Sequence, residues 1–185
     1  MSQKSSLFIV TSLLLLLGCA QTDLDYTWSF QTGGPVLSHP VMHDKTLYFG
    51  SNDGKFYALD TRAQDTSWAF QSTGPIQGQS VVEDGVVYFA NTSTIYALDS
   101  RSGGELWSYE FAPKSTGEPL DPWDYHHGRP VVVGHMIYFC LTDGNLYGFE
   151  LKSGKMVDHF TALDSAVIRC TPASKENIIY FGDWN

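Results

Sequence analysis

Basic residues are scarce in this chain: 11 lysines and arginines stand against 20 aspartates and glutamates, a formal charge of −9. No basic patch is there to release counterions from a phosphate backbone, which excludes nucleic acid as a partner. Long hydrophobic runs are missing too. The longest largely apolar stretch, Leu7 to Leu17, has eleven residues with Thr11 and Ser12 among them, whereas a helix needs about 20 to cross a bilayer. Cysteine is limited to Cys19, Cys140 and Cys170, with no two adjacent. Histidines are scattered singly apart from His126-His127 and match no standard zinc spacing. What remains is a chain of ordinary single-domain length, with 14% aromatics and 17 glycines. That composition suits an all-β fold with many turns.

Residues 1–18 read as a targeting segment and stand outside the fold. Lys4 supplies a weak positive start, and the short apolar stretch follows. Leu16-Leu17-Gly18-Cys19 then resembles the bacterial lipobox, in which cleavage behind Gly18 leaves a lipidated Cys19 at the new N-terminus. Leu17 departs from the small residue usual at its position. The alternative is plain secretion to the periplasm, with Gly18-Cys19-Ala20 as a small-x-small cleavage site. Ala20, where an aspartate would retain the protein in the inner membrane, makes the resemblance imply an outer-membrane anchor facing the periplasm. Residues 19–25 are then a linker, and 26–185 the folded domain.

A repeat organises that domain. Leu47-Tyr48-Phe49-Gly50 returns as Val87-Tyr88-Phe89-Ala90, Ile137-Tyr138-Phe139-Cys140 and Ile179-Tyr180-Phe181-Gly182, at intervals of 40, 50 and 42 residues. Seven residues before each stands Pro40, Ser80, Pro130 or Pro172. Each unit reads as four short strands, in the first copy Pro40–His43, Thr46–Ser51, Lys55–Asp60 and Trp68–Gln71. Turn formers separate strands: Asn52-Asp53-Gly54, Glu83-Asp84-Gly85 and Thr142-Asp143-Gly144. The Tyr-Phe strands are apolar on successive residues, so both faces must be buried, as when each sheet lies between two neighbours.

A second recurring segment ties each unit to the next. It runs Ala97-Leu98-Asp99-Ser100-Arg101-Ser102-Gly103-Gly104-Glu105-Leu106-Trp107 in its full form. Residues 58–68 keep Ala58, Asp60 and Trp68 but carry Gln64 in the glycine position. Residues 148–158 have Gly148, Glu150 and Asp158 for Ala, Asp and Trp. This segment resembles the tryptophan-docking repeat of quinoprotein-type, or PQQ-like, β-propellers. The resemblance implies an all-β propeller of four-stranded antiparallel blades, which usually number about eight. Three and a half fit between residue 26 and the end, and the expectation is a fragment of a longer protein. The docking residues read as scaffold, not as catalysts. The glycine permits a left-handed turn, the tryptophan lies on the next blade, the alanine leaves it room, and Asp60 and Asp99 accept turn amides.

One stretch breaks the period. Between Phe111 and Pro130 the third unit carries about ten extra residues, on one face near the axis, where repeat arrays often bind partners. Asp121, Trp123, Asp124, Tyr125, His126, His127 and Arg129 are the candidate partner or ligand residues. The favoured reading is a capping loop that packs Trp123 and Tyr125 over the channel mouth, rather than a metal site. Cys140 stands in a column otherwise filled by Gly50, Ala90 and Gly182, which suggests a small buried thiol. A disulfide to Cys170 is the alternative, but facing sheets lie about 10 Å apart and a disulfide needs Cα atoms within about 7 Å.

A lipobox followed by PQQ-like repeats resembles the propeller lipoprotein of the outer-membrane β-barrel assembly machinery. The resemblance implies a non-enzymatic scaffold without cofactor or catalytic residues. Its partners would be assembly factors or nascent outer-membrane proteins, and its contact with the membrane would be through the lipid anchor alone. The runner-up is a fragment of a dehydrogenase that binds pyrroloquinoline quinone and Ca²⁺, faintly suggested by Trp123-Asp124-Tyr125. The adjacent cysteine pair and the calcium-ligand set of that family are missing. A periplasmic ligand-sensing propeller is the third reading.

Overall fold

The computed structural model describes residues 28–112, 128–162, 168 and 170–183. Every regular element among them is a strand. The first sheet is β1 (Val41–His43), β2 (Thr46–Gly50), β3 (Lys55–Asp60) and β4 (Asp65–Gln71), antiparallel in that spatial order. The second is β5 (Val81–Glu83), β6 (Val86–Ala90), β7 (Thr94–Asp99) and β8 (Glu105–Glu110). The third is β9 (Val131–Val133), β10 (Met136–Cys140), β11 (Asn145–Glu150) and β12 (Met156–Thr161). A hairpin, β13 (Ala173–Lys175) with β14 (Ile178–Tyr180), forms a two-stranded fourth sheet. Three full blades and a two-stranded sheet make an incomplete β-propeller.

The core lies in layers between blades. Blades one and two clamp Phe56, Ile76, Phe89 and Leu98, with Phe56 and Phe89 stacked at 4.1 Å across the junction. Blades two and three clamp Ile95, Ile137, Phe139 and Phe149. Blade three and the fourth sheet share Cys140, Leu146, Ala162 and Ile168. The middle strands are therefore buried on both faces, while the outer strands β4, β8 and β12 are largely exposed. Trp28 and Phe30 repeat this packing one unit earlier. Phe30 sets its ring edge-on to Phe49 and Tyr57, as Phe70 does to Phe89 and Tyr96.

The outer strands differ from the sequence reading in one respect. β4 begins at Asp65, three residues before Trp68, because a bulge lets it continue past the docking position. The bulge recurs at Ala58/Leu59, Ala97/Leu98 and Gly148/Phe149. It turns Trp68 and Trp107 to face Ala58 and Ala97, and it leaves the skipped residues Leu106 and Val157 in water.

The turns also sort by position. Asp84 and Gly85, both left-handed, make the first hairpin of blade two. Asn52-Asp53-Gly54 and Thr142-Asp143-Gly144 make the second hairpins of blades one and three. In blade two that second turn is Asn91-Thr92-Ser93, where the Asn91 carboxamide oxygen accepts the Ser93 and Thr94 amides.

Candidate functional site

The site with the most convergent chemistry is the junction between blades, and it begins at a turn. Asp99 ends β7, and its Oδ1 accepts the amides of Arg101 and Ser102 and the Ser102 hydroxyl, at 3.1, 2.8 and 2.8 Å. Asp60 accepts the amides of Arg62 and Ala63 at 2.7 and 2.9 Å. The Ser102 hydroxyl, followed by the amides, holds Asp99 below the ordinary carboxylate range, and the Ala63 and Arg62 amides do the same for Asp60. Each carboxylate serves its own turn, so the two do not form an acid pair. The turn closes with Gly103 N–H on the Asp99 carbonyl at 2.8 Å, and Gln64 and Gly154 repeat that bond. All three positions are left-handed, with φ of 71°, 57° and 65°.

The indole of the preceding blade lies on this turn. A Cβ at Gly103 would sit 2.6 Å from Trp68 Cδ2, and one at Gly154 would sit 2.5 Å from Trp107 Cγ, so glycine is required there for space as well as for φ. Trp68 Nε1 donates to the Ser100 carbonyl at 3.0 Å, and Trp107 Nε1 to the Leu151 carbonyl at 2.9 Å. The same two carbonyls accept the hydroxyls of Tyr48 and Tyr88, at 3.0 and 3.1 Å. One backbone oxygen thus ties two strands of the neighbouring blade to the turn, with both lone pairs used. Burial, with Asp84 and Glu83 nearby, pushes the Tyr88 hydroxyl up to about 12, so it stays a donor at any physiological pH.

The third junction is built differently. Asp158 faces Gly148 where a tryptophan would face an alanine, and the Tyr138 hydroxyl donates to Asp158 Oδ2 at 2.8 Å within its own blade. Burial and then Asp158 push Tyr138 up to about 12. A Cβ on Gly148 would come 2.6 Å from the Tyr138 ring, so the loss of the indole and the loss of the alanine methyl are one adjustment. Cys140, 2% exposed, instead brings its sulfur to 3.8 Å from that of Cys170. Both are free thiols and Cys140 is buried, as its column of small residues suggested, but the two come closer than the spacing of facing sheets would bring them. Cys140 ends β10, whereas Cys170 lies three residues before β13 in a lead-in that runs close to the third blade's own lead-in: a Cβ on Gly128 would meet the Cys170 carbonyl.

A further pair of contacts follows a repeated sequence pattern, Asp-Gly-x-x-Tyr. The Tyr57 hydroxyl donates to Asp53 Oδ2 and that of Tyr147 to Asp143 Oδ2, both at 2.7 Å. Asp53 also accepts the Gly33 and Lys55 amides. Burial raises the Asp53 carboxyl, but the bonds from Tyr57, Lys55 and Gly33 outweigh it and hold the group low.

Two grooves of about 420 Å³ each run beside the docks, the first lined mainly by polar atoms and the second mainly by apolar ones. His43, Asp44 and Arg101 line one, and Asp84, His135, Glu150 and Lys152 the other. Of the insertion, Asp121, Trp123, Asp124, Tyr125, His126 and His127 lie outside the described residues, as does Cys19. Arg129 is exposed, and its backbone N–H donates to Thr171 Oγ1 at 3.1 Å, which fastens the end of the insertion to the fourth sheet's lead-in.

Blades joined by indole-on-turn docks define a PQQ-like repeat β-propeller. The family model described as outer membrane protein assembly factor BamB matches residues 7–183, and the chain belongs to that family. A search of curated proteins returned no match. Among solved structures, BamB from Moraxella catarrhalis superposes with a TM-score of 0.72 at 18% identity, covering 85% of this chain and 50% of that one. The computationally designed Ika4 protein gives 0.66 at 14% identity, covering 83% and 88%. A europium-containing methanol dehydrogenase gives 0.56 at 21% identity, covering 72% and 26%. The chain spans about half the length of the Moraxella protein.

Proposed function

We propose that this chain is a non-enzymatic propeller lipoprotein, facing the periplasm, that acts as a protein-interaction scaffold in outer-membrane protein assembly. The observation that carries the reading is the match to the outer membrane assembly factor family across residues 7–183. The lipobox-like Leu16-Leu17-Gly18-Cys19 supports a membrane anchor for such a scaffold. The side chains that repeat from blade to blade support it as well. Asp60, Asp99, Trp68 and Trp107 spend their hydrogen bonds on the turns and docks of the framework. Likeness to the methanol dehydrogenase, at 21% identity, speaks to fold alone.

Calorimetric titration of the purified chain with pyrroloquinoline quinone and Ca²⁺ tests the choice between scaffold and dehydrogenase. The scaffold reading expects no saturable heat and no dye-linked alcohol or sugar oxidation. Stoichiometric quinone binding would overturn it in favour of the dehydrogenase.

A further inference from the structure

The first two junctions carry an indole dock and the third does not, yet the third is where both cysteines of the domain meet. Cys140 ends β10 in the column that holds Gly50 and Ala90 in the other blades, and Cys170 stands two residues before Pro172, in the column of Ser38. Cys170 is held by a local bond beside its own hairpin. Gly182 N–H donates to Cys170 Sγ at 3.4 Å, as Gly50 N–H donates to Ser38 Oγ at 2.9 Å in blade one. Cys170 thus keeps the local bond of its column and turns its sulfur to Cys140 of the neighbouring blade, 3.8 Å away and 30 residues earlier.

Around the pair lie Leu146, Ala162, Ile168, Ile179 and Phe181, a packed layer from both sheets. A sulfur–sulfur bond is about 2.05 Å long, so closure needs a movement of under 2 Å, within reach of two side-chain rotations. We infer that Cys140 and Cys170 form a redox-controlled disulfide that staples the fourth sheet to the third blade, in place of the tryptophan dock that Asp158 cannot supply.

The oxidant is a disulfide of the glutathione or thiol-oxidoreductase class. Cys170 is the part-exposed thiol, while Cys140 is buried and its ionisation is pushed up by that burial. Cys170 thiolate therefore attacks first. The oxidant's S–S bond breaks, one of its sulfurs leaves as a thiol, and the other stays on Cys170 as a mixed disulfide. Cys140 then gives up its proton and attacks the Cys170 sulfur, which expels the second thiol. The sum is one disulfide formed in the protein, one reduced in the oxidant, and two thiols released.

The test uses the full chain with Cys19→Ser, so that only the pair is counted. After incubation with oxidised glutathione and denaturation, maleimide-reactive thiols should fall from two to none. A peptide map should link Cys140 to Cys170, and dithiothreitol should restore both thiols. With Cys140→Ala, a residue the column already accepts at Ala90, glutathione should remain on Cys170 as a stable adduct. Two thiols still reactive after the treatment, a lasting glutathione adduct on Cys170 with Cys140 present, or linkage between chains instead of within one, would each overturn the inference.

Discussion

Trp107 combines a stacked contact with Phe149, at 5.6 Å between ring centres, and an indole N–H given to the Leu151 carbonyl. Replacement by alanine removes both, and the cost expected for a large aromatic is about 3–5 kcal/mol, nearer the lower end because this ring is part-exposed. Urea denaturation should show the midpoint falling with the slope unchanged. Trp107→Phe keeps an aromatic face but loses the hydrogen bond and part of the ring, so a smaller cost of about 1–2 kcal/mol is expected. A Trp107→Ala chain melting within a degree or two of the parent would contradict the dock. Asp99 acts through protonation. Its folded-state ionisation lies below the unfolded value of about 3.9, so its contribution is complete above that pH and is lost as pH falls through the folded value. The stability gap between the parent and Asp99→Asn should therefore be constant near neutrality and close below about pH 4. A gap that does not begin to narrow as pH falls below about 4 would mean that it does not come from the ionised carboxylate.

The docking turn is an element whose three copies make a natural comparison. Gln64 holds the left-handed conformation that Gly103 and Gly154 adopt freely, so Gln64→Gly should stabilise the chain by about 1 kcal/mol. Gly103→Ala meets the opposite situation, since its methyl lands 2.6 Å from the Trp68 ring, and a loss of about 1–3 kcal/mol is expected. Thermal melts of the two variants should move in opposite directions; a Gly103→Ala chain as stable as the parent would show that the indole has room. Most of the element order was legible from the Tyr-Phe columns, because a strand buried on both faces has to be apolar at every position. The start of β4 was not, since a bulge is set by how the outer strand meets its partner and leaves no mark in hydropathy. The second role of Tyr48 and Tyr88 was also hidden. Their column was plain, but a hydroxyl reaching a carbonyl 52 or 63 residues away depends on how neighbouring blades meet. The approach of Cys140 to Cys170 was hidden for a related reason. Mid-sheet spacing does not apply between a strand end and the lead-in of the next sheet.

For the whole molecule, the scaffold reading joins a lipobox-like leader to a framework whose repeated polar groups are engaged in holding blades together. The leader makes its own prediction: the parent should fractionate with outer membranes and carry acyl chains on Cys19, and Cys19→Ser should leave an unprocessed or soluble form. Normal processing and membrane recovery of that variant would argue for plain secretion. The scaffold itself is tested most directly by quantitative affinity isolation of the tagged chain from detergent-solubilised outer membranes. The account predicts recovery of outer-membrane β-barrel assembly proteins in near-stoichiometric amounts, reduced in the dock-deficient Trp107→Ala chain. No enrichment of those proteins over an untagged control, from a chain shown to be folded, would contradict it.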